Sequence, residues 1–418
     1  MKRRTLSLAL AAALALSLLG GAALAAEAPE PEEPQPEAEE YIPDPVGSIT
    51  FGNLSRRMHE GNLQVRSIQE NIDILEEIDY DDLREDLRLR LNEIAKTQWS
   101  LVQASGFMSD YEYHSAYDQM DKAYDAVREQ FDAIKDGDMQ SDNADTVRQL
   151  KNLQNQIVMA GETTYIALAA MEIQQDGLER QLAALDRQIT ELDLRYELGH
   201  ISSLTLKQAK SGRAALDSGL ATLGMNLDAY KGQLELLIGA EITGNISLGA
   251  LPSVSREELN AMDLEKDLAT AKANSWALYE AAETHKEALE DYNDKGGDYG
   301  QTYKANDRDY TQARHTYYSA KYTYDNTVQN FELGLRSLYL KVKDCQQILS
   351  ASRTALAVER DNYAAAQLKQ SQGNLSQNAL LEAGDKLTEA QEKVAGAEND
   401  LFSAYNTYRW AVDYGILN

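Results

Sequence analysis

Between residues 206 and 234, and again 174 positions later, the chain writes the same helical register without a gap. The positions Leu206, Ala209, Arg213, Leu216, Leu220, Leu223, Leu227, Tyr230 and Leu234 map onto Leu380, Ala383, Leu387, Ala390, Val394, Ala397, Leu401, Ala404 and Tyr408. Only Arg213 breaks the apolar spacing of three and four that lays one greasy stripe along a helix. Each run follows the same interruption, Arg195-Tyr196-Glu197-Leu198-Gly199-His200-Ile201-Ser202 in the first and Lys369-Gln370-Ser371-Gln372-Gly373-Asn374-Leu375-Ser376 in the second. The pattern constrains the chain to two long helical hairpins with matched tips.

The rest of the sequence supplies the helices these stripes need as partners. After Pro45 the one remaining proline is Pro252, as expected of a nearly all-helical chain in which an interior proline costs about 3 kcal/mol. Sparse punctuation predicts helices over about 48–104, 110–135 and 145–198. In the second half it predicts 257–293 and 301–372, with turns at Ser105–Ser109, Asp136-Gly137-Asp138 and Asn293–Asp298. A 72-residue helix would run about 108 Å and needs neighbours along its length.

Seams of period seven are legible. Leu178, Leu182, Leu185, Ile189, Leu192 and Tyr196 lead into the first tip, and Tyr303, Tyr310, Tyr317, Tyr324, Phe331 and Leu338 recur in the second half. Strict sevens imply left-handed supercoiling. The tyrosines are read as core, facing Ala313 and Ala320 with their hydroxyls at the edge, against the alternative of a functional aromatic surface.

Residues 1–25 carry Lys2, Arg3 and Arg4, an apolar run and Ala23-Leu24-Ala25, the order of a cleavable export signal. Residues 26–47 form a Pro/Glu-rich disordered tether. Two helical repeats follow, 48–238 and 257–418, joined by a linker at 239–256 that holds Pro252. Removing the three basic signal residues takes the net charge from −28 to −31. That balance argues against nucleic acid as a partner, since phosphate binding needs clustered cations, and suits an envelope protein or the lining of an aqueous conduit. The lone Cys345 falls in the heptad of Leu338, Val342 and Leu349 and reads as a core thiol.

The doubled tips, each with Gly followed ten positions later by Ala, resemble the outer-membrane efflux proteins of the TolC type. So do the openings of the halves, Ile49-Thr50-Phe51 leading to Gly61-Asn62-Leu63, and Ala273-Asn274-Ser275. The resemblance covers essentially Ser48 to the C-terminus. It implies a homotrimer whose long helices form a hollow duct, and tips that dock a periplasmic adaptor linked to an inner-membrane pump. Gly199, His200, Ile201, Ser202, Gly373, Asn374, Leu375 and Ser376 become the adaptor-contacting residues, and Glu382 a candidate for an acidic ring narrowing the aperture. Ordinary hairpin turns and a plain solvated glutamate are the competing readings.

The family's membrane-spanning strands each need about 9–11 residues of alternating character. None is found near Ser105–Asp110 or Asn293–Gly300, so the expected fold is all-α, a TolC-like helical duct without its β-barrel. Localisation is then the cell envelope: outer membrane by resemblance, wall or cell surface if the barrel is absent. The scattered histidines 59, 114, 200, 285 and 315 offer no catalytic or metal constellation. No enzyme activity, cofactor or metal is expected. Two functions remain open, a passive exit conduit for efflux or type I secretion, and an exported coiled-coil spacer without transport.

Overall fold

The computed structural model of the chain describes residues 44–296 and 308–417. The export signal, most of the tether, the turn residues Gly297 and Asp298, and Tyr303 lie outside the described residues. What is described is helix after helix. In the first half these are α1 (Phe51–Gly61), α2 (Leu63–Glu76), α3 (Tyr80–Ala104), α4 (Asp110–Asp136), α5 (Asp138–Glu197) and α6 (Ser203–Leu237). In the second half they are α7 (Arg256–Ala261), α8 (Leu264–Asn274), α9 (Trp276–Gly296), α10 (Arg308–Ser371) and α11 (Gln377–Tyr414). The only strands among the described residues are β1 (Ser48–Ile49) and β2 (Ser247–Leu248), which pair in parallel. Where the resemblance puts strands in the first half, α3 and α4 instead meet through a 3-10 turn at Ser105–Phe107.

Two compact units result. One holds Ser67–Leu153 and the other Ile42–Arg66 with Gln154–Asn418. Inside the first, Asn143 donates to the Tyr80 hydroxyl at 2.8 Å and Lys151 pairs with Glu76 at 2.8 Å. The acidic run at residues 79–82 finds a structural use there, because the Asp79 carboxylate caps α3 by accepting from Asp81 and Asp82 N–H. Ser109 and Glu112 form a reciprocal capping box that starts α4.

The second unit buries both copies of the doubled stripe. Every position of the two runs is buried or half-buried except Tyr230. One core gathers Ile49, Leu54, Met58, Tyr165, Leu168, Leu223, Leu227 and Leu234 around the β1–β2 pair. The fully buried Tyr165 donates to the Gly249 carbonyl at 2.7 Å. The other core gathers Phe331, Leu335, Val342, Cys345 and Leu349 of α10 with Leu401, Ala404 and Tyr408 of α11. The halves meet where Phe51 packs edge-on to Phe402 at 4.8 Å and where Glu162 of α5 accepts from Asn406 and Trp410 at 2.8 and 2.6 Å. Burial pushes the Glu162 carboxyl above its ordinary range, and the two neutral donors only partly offset this.

The helix expected over 48–104 is broken at Asn62 and again at 77–79, and a matching break falls at Ser275. At each one-residue break the side chain caps the next helix. Asn62 Oδ1 accepts from Gln64 and Val65 N–H, and Ser275 Oγ from Leu278 N–H. The breaks exist because another helix end presses into them. Gly239 and Gly415, at φ +66° and +65°, close α6 and α11, and a Cβ on either would collide with the backbone of Gly61 or Ser275 respectively. Asn62 then donates to the Leu237 carbonyl and Asn274 to those of Val412 and Asp413. A starting residue of 138 for α5, earlier than the expected 145, follows from Gly137 at φ +86°, which ends α4 and lets the next helix begin at once.

The described tyrosines of the ladder are packed between helices, as read, but half-buried and with other rings as their partners. Tyr310, Tyr317 and Tyr324 of α10 interleave with Tyr292 and His285 of α9, ring centroids 5.4–5.8 Å apart and stacked. The Tyr292 and Tyr310 hydroxyls bond each other at 3.1 Å.

Three outcomes follow. Gly61→Ala and Gly415→Ala should each cost about 2–3 kcal/mol in chemical denaturation, because backbone must give way. Gly52→Ala, with nothing within 4 Å of the new Cβ, should be neutral or gain roughly 0.5–1 kcal/mol. For Glu162 the raised folded pKa means its stabilising contribution is complete below the unfolded value near 4.5 and is lost as pH rises through the folded value. Glu162→Gln should therefore gain stability relative to the parent between acidic and neutral pH, read from paired melting curves at several pH values.

Candidate functional site

The two tips match bond for bond. In the first, Gly199 N–H donates to Tyr196 O at 2.9 Å and His200 N–H to Arg195 O at 2.8 Å. In the second, Gly373 N–H donates to Gln370 O at 2.9 Å and Asn374 N–H to Lys369 O at 2.9 Å. This paired 5→2 and 6→1 closure needs a left-handed residue at the corner, and Gly199 and Gly373 supply it at φ +74° and +75°. Ser202 and Ser376 then start α6 and α11 by accepting from Thr205 and Ala379 N–H, both at 3.2 Å. Each tip is thus a Schellman stop, a two-residue link and a serine cap.

The structure brings the predicted residues together at these bends. Gly199, His200, Ser202, Gly373, Asn374 and Ser376 are exposed, Ile201 and Leu375 are half-buried, and a Cβ on either glycine would meet nothing within 4 Å. Around them lie leucines that burial would predict to be inside. Leu194 and Leu368, one duplication apart, stand 57% and 61% exposed, with Leu198 and Leu204 beside the first tip. Sequence reading missed this pair, although both break the seam register just before the glycine. Glu382 is exposed on α11.

Below the tips a ladder of charges joins α5 to its two neighbours, and only Arg213 hinted at it. Arg180 of α5 grips Glu392 of α11 with two hydrogen bonds of 2.8 and 2.9 Å, and seven residues on Arg187 pairs with Asp385. On the other side Arg213 of α6 pairs with Asp186 at 2.6 Å, Lys210 with Asp193 at 2.9 Å and Lys231 with Glu172 at 3.0 Å. The residue that spoiled the first stripe is therefore half-buried with a carboxylate partner. The Glu392 hydrogen bonds hold the Arg180 guanidinium charge more firmly than usual. Burial, then repulsion from Glu179, Glu392 and Glu172, raises Asp176 nearby.

Among the described residues no group of three His, Cys, Asp or Glu side chains could hold a metal ion. No helix described is long and apolar enough to cross a membrane. Burial raises the Cys345 thiol above its ordinary value.

No family model matches the chain, and no curated protein matches it in sequence. Solved structures do resemble it. The outer-membrane channel OprN is similar at 13% identity and TM-score 0.52, over 87% of this chain and 89% of that one. The CmeC outer membrane channel of Campylobacter jejuni is similar at 11% identity and TM-score 0.50, over 93% of this chain and 95% of that one. At such identities the likeness is one of fold. The chain has the duplicated, all-α, TolC-like helical fold, and among its described residues it lacks the barrel strands.

Arg180→Ala should cost about 2–3 kcal/mol, because it leaves Glu392 unpaired among acids. Glu382→Gln, at an exposed position, should stay within about 0.5 kcal/mol of the parent. A double-mutant cycle on Arg180 and Glu392 that showed no coupling would remove the ladder as a fastening.

Proposed function

We propose that this chain is a passive exit duct of the cell envelope, a non-enzymatic component of an efflux or secretion assembly. In this reading three copies form the conduit from the repeats 48–238 and 257–418, joined by 239–256. The tips at Gly199, His200, Ile201 and Ser202 and at Gly373, Asn374, Leu375 and Ser376 dock a periplasmic adaptor connected to an inner-membrane pump. Glu382 would contribute one carboxylate per copy to an aperture ring.

The observation that carries this reading is the bond-for-bond identity of two exposed bends with an unburied leucine at the same place beside each. Hairpin closure needs neither equivalence nor exposed leucines, whereas a partner meeting both bends needs both. The fold shared with the outer-membrane channels OprN and CmeC agrees with it. So does the exposed apolar surface on the long helices, Met225 and Leu236 of α6 and Leu333 and Leu340 of α10, of the sort that other copies of a chain cover.

The competing function, an exported coiled-coil spacer, predicts a monomer or dimer of the 46.5 kDa chain indifferent to changes at the tips. A duct predicts a hollow particle of about 140 kDa, three times that mass. Light scattering with low-resolution shape separates the two. Binding of a membrane-fusion-type adaptor should fall at least tenfold in Leu194→Ser/Leu368→Ser, which leaves the backbone alone, and in Gly199→Leu/Gly373→Leu. Adaptor binding undiminished in both double variants would remove the tip assignment.

A further inference from the structure

We infer that the tip of the α3–α4 hairpin is a membrane-surface contact, a neutral aromatic wedge that enters the interfacial zone of a lipid bilayer. The inference goes beyond the duct reading and requires neither a trimer nor an adaptor.

The first observation is compositional. From Thr97 to Ser109 the chain carries no charged side chain, although 26% of its residues are charged overall. Lys96 bounds the stretch on one side and Asp110 on the other. A hairpin turn does not require this, because the segment from which the sequence predicts the corresponding turn of the second half contains Asp294, Lys295 and Asp298.

Next comes exposure. Trp99, Phe107 and Tyr111 are 63%, 95% and 83% exposed, and Val102 is exposed beside them. The three aromatics fall at the end of α3, in the 3-10 turn and in the first turn of α4, around one bend. Leaving a tryptophan and a phenylalanine in water forfeits roughly 1.5–3 kcal/mol each. Trp and Tyr are the side chains that favour the boundary between headgroups and hydrocarbon.

Finally, the backbone at the bend is partnered within the chain, as a weakly polar surrounding demands. Ser105 Oγ donates to Val102 O at 2.8 Å, and Met108 N–H donates to Ser105 O at 3.3 Å. The Ser109–Glu112 capping box takes up the start of α4. Thirteen residues folded as a hairpin fall well short of the ~20 that span a bilayer as a helix. The wedge is therefore superficial, with Asp110 and Glu112 held in the aqueous layer. Those acids and the net charge of −28 direct the contact to uncharged lipid.

The test uses the chain purified after export and processing, floated with phosphatidylcholine vesicles that contain or lack bromine-labelled acyl chains. The expected result is co-flotation with quenched tryptophan emission. Trp99→Phe should keep binding but lose the quenching, since Trp410 is buried and Trp276 half-buried. Phe107→Ser/Tyr111→Ser should bind roughly a hundredfold less, about tenfold per aromatic, with unchanged helical circular dichroism. Val46→Ser/Ile242→Ser, which removes exposed apolar side chains elsewhere, should bind as the parent does. Adding anionic lipid should weaken binding at low salt. The inference is overturned if the parent does not float, if the Phe107/Tyr111 variant floats equally well, if Trp99→Phe is quenched in full, or if anionic vesicles bind more tightly. Retention on isolated wall glycan that the Phe107/Tyr111 variant loses, without flotation, would reassign the wedge to a sugar polymer.

Discussion

The constraint on which this molecule depends is that a helix of 60 or 64 residues cannot hide its apolar stripe by itself. At 1.5 Å per residue α5 and α10 run for about 90 Å or more, far beyond what a compact core surrounds. Every turn must find a neighbour, and the duplicated runs on α6 and α11 provide it in register. The ion pairs Arg180–Glu392 and Arg213–Asp186 sit at the edges of those seams. There they fix which turn meets which without interrupting the apolar contact.

Close approach of backbone settles the other ends of the long helices. Gly239 and Gly415 each turn left-handed against a one-residue break in a helix of their own half. The two junctions use the same devices although their spacing along the chain differs. The linker after α6 is held by a buried carboxylate: Glu235 accepts from the N–H groups of Thr243, Gly244, Asn245 and Ile246. Burial works against that charge, but hydrogen bonds led by Gly244 and Thr243 outweigh it and hold the Glu235 pKa low. In the second half the equivalent position is Arg409, which pairs instead with Asp413 of its own helix.

Much of the fold was legible. Periodicity gave the long helices, glycine gave the bends, and doubling gave their equivalence. The one-residue breaks at Asn62 and Ser275 were not visible, because they barely disturb a 3.6-residue period and arise from a distant glycine. The role of Arg213, the one break in the stripe, was not visible for a related reason: its partner Asp186 lies on another helix, and pairing between helices leaves no periodic trace. The tyrosines declared a core period but not their partners, since Tyr292 and His285 belong to a shorter helix with the same spacing of seven.

The sequence by itself determined the helical class, the duplication, the doubled tips and the shortage of strand-forming segments, because these follow from local spacing and local turn chemistry. Only tertiary structure decided which leucines stay uncovered at the tips, which charges fasten α5 to α6 and α11, and that an uncharged aromatic bend closes the α3–α4 hairpin in full view of solvent. Exposure and pairing are properties of surfaces brought together from distant parts of the chain, and no window of sequence contains them.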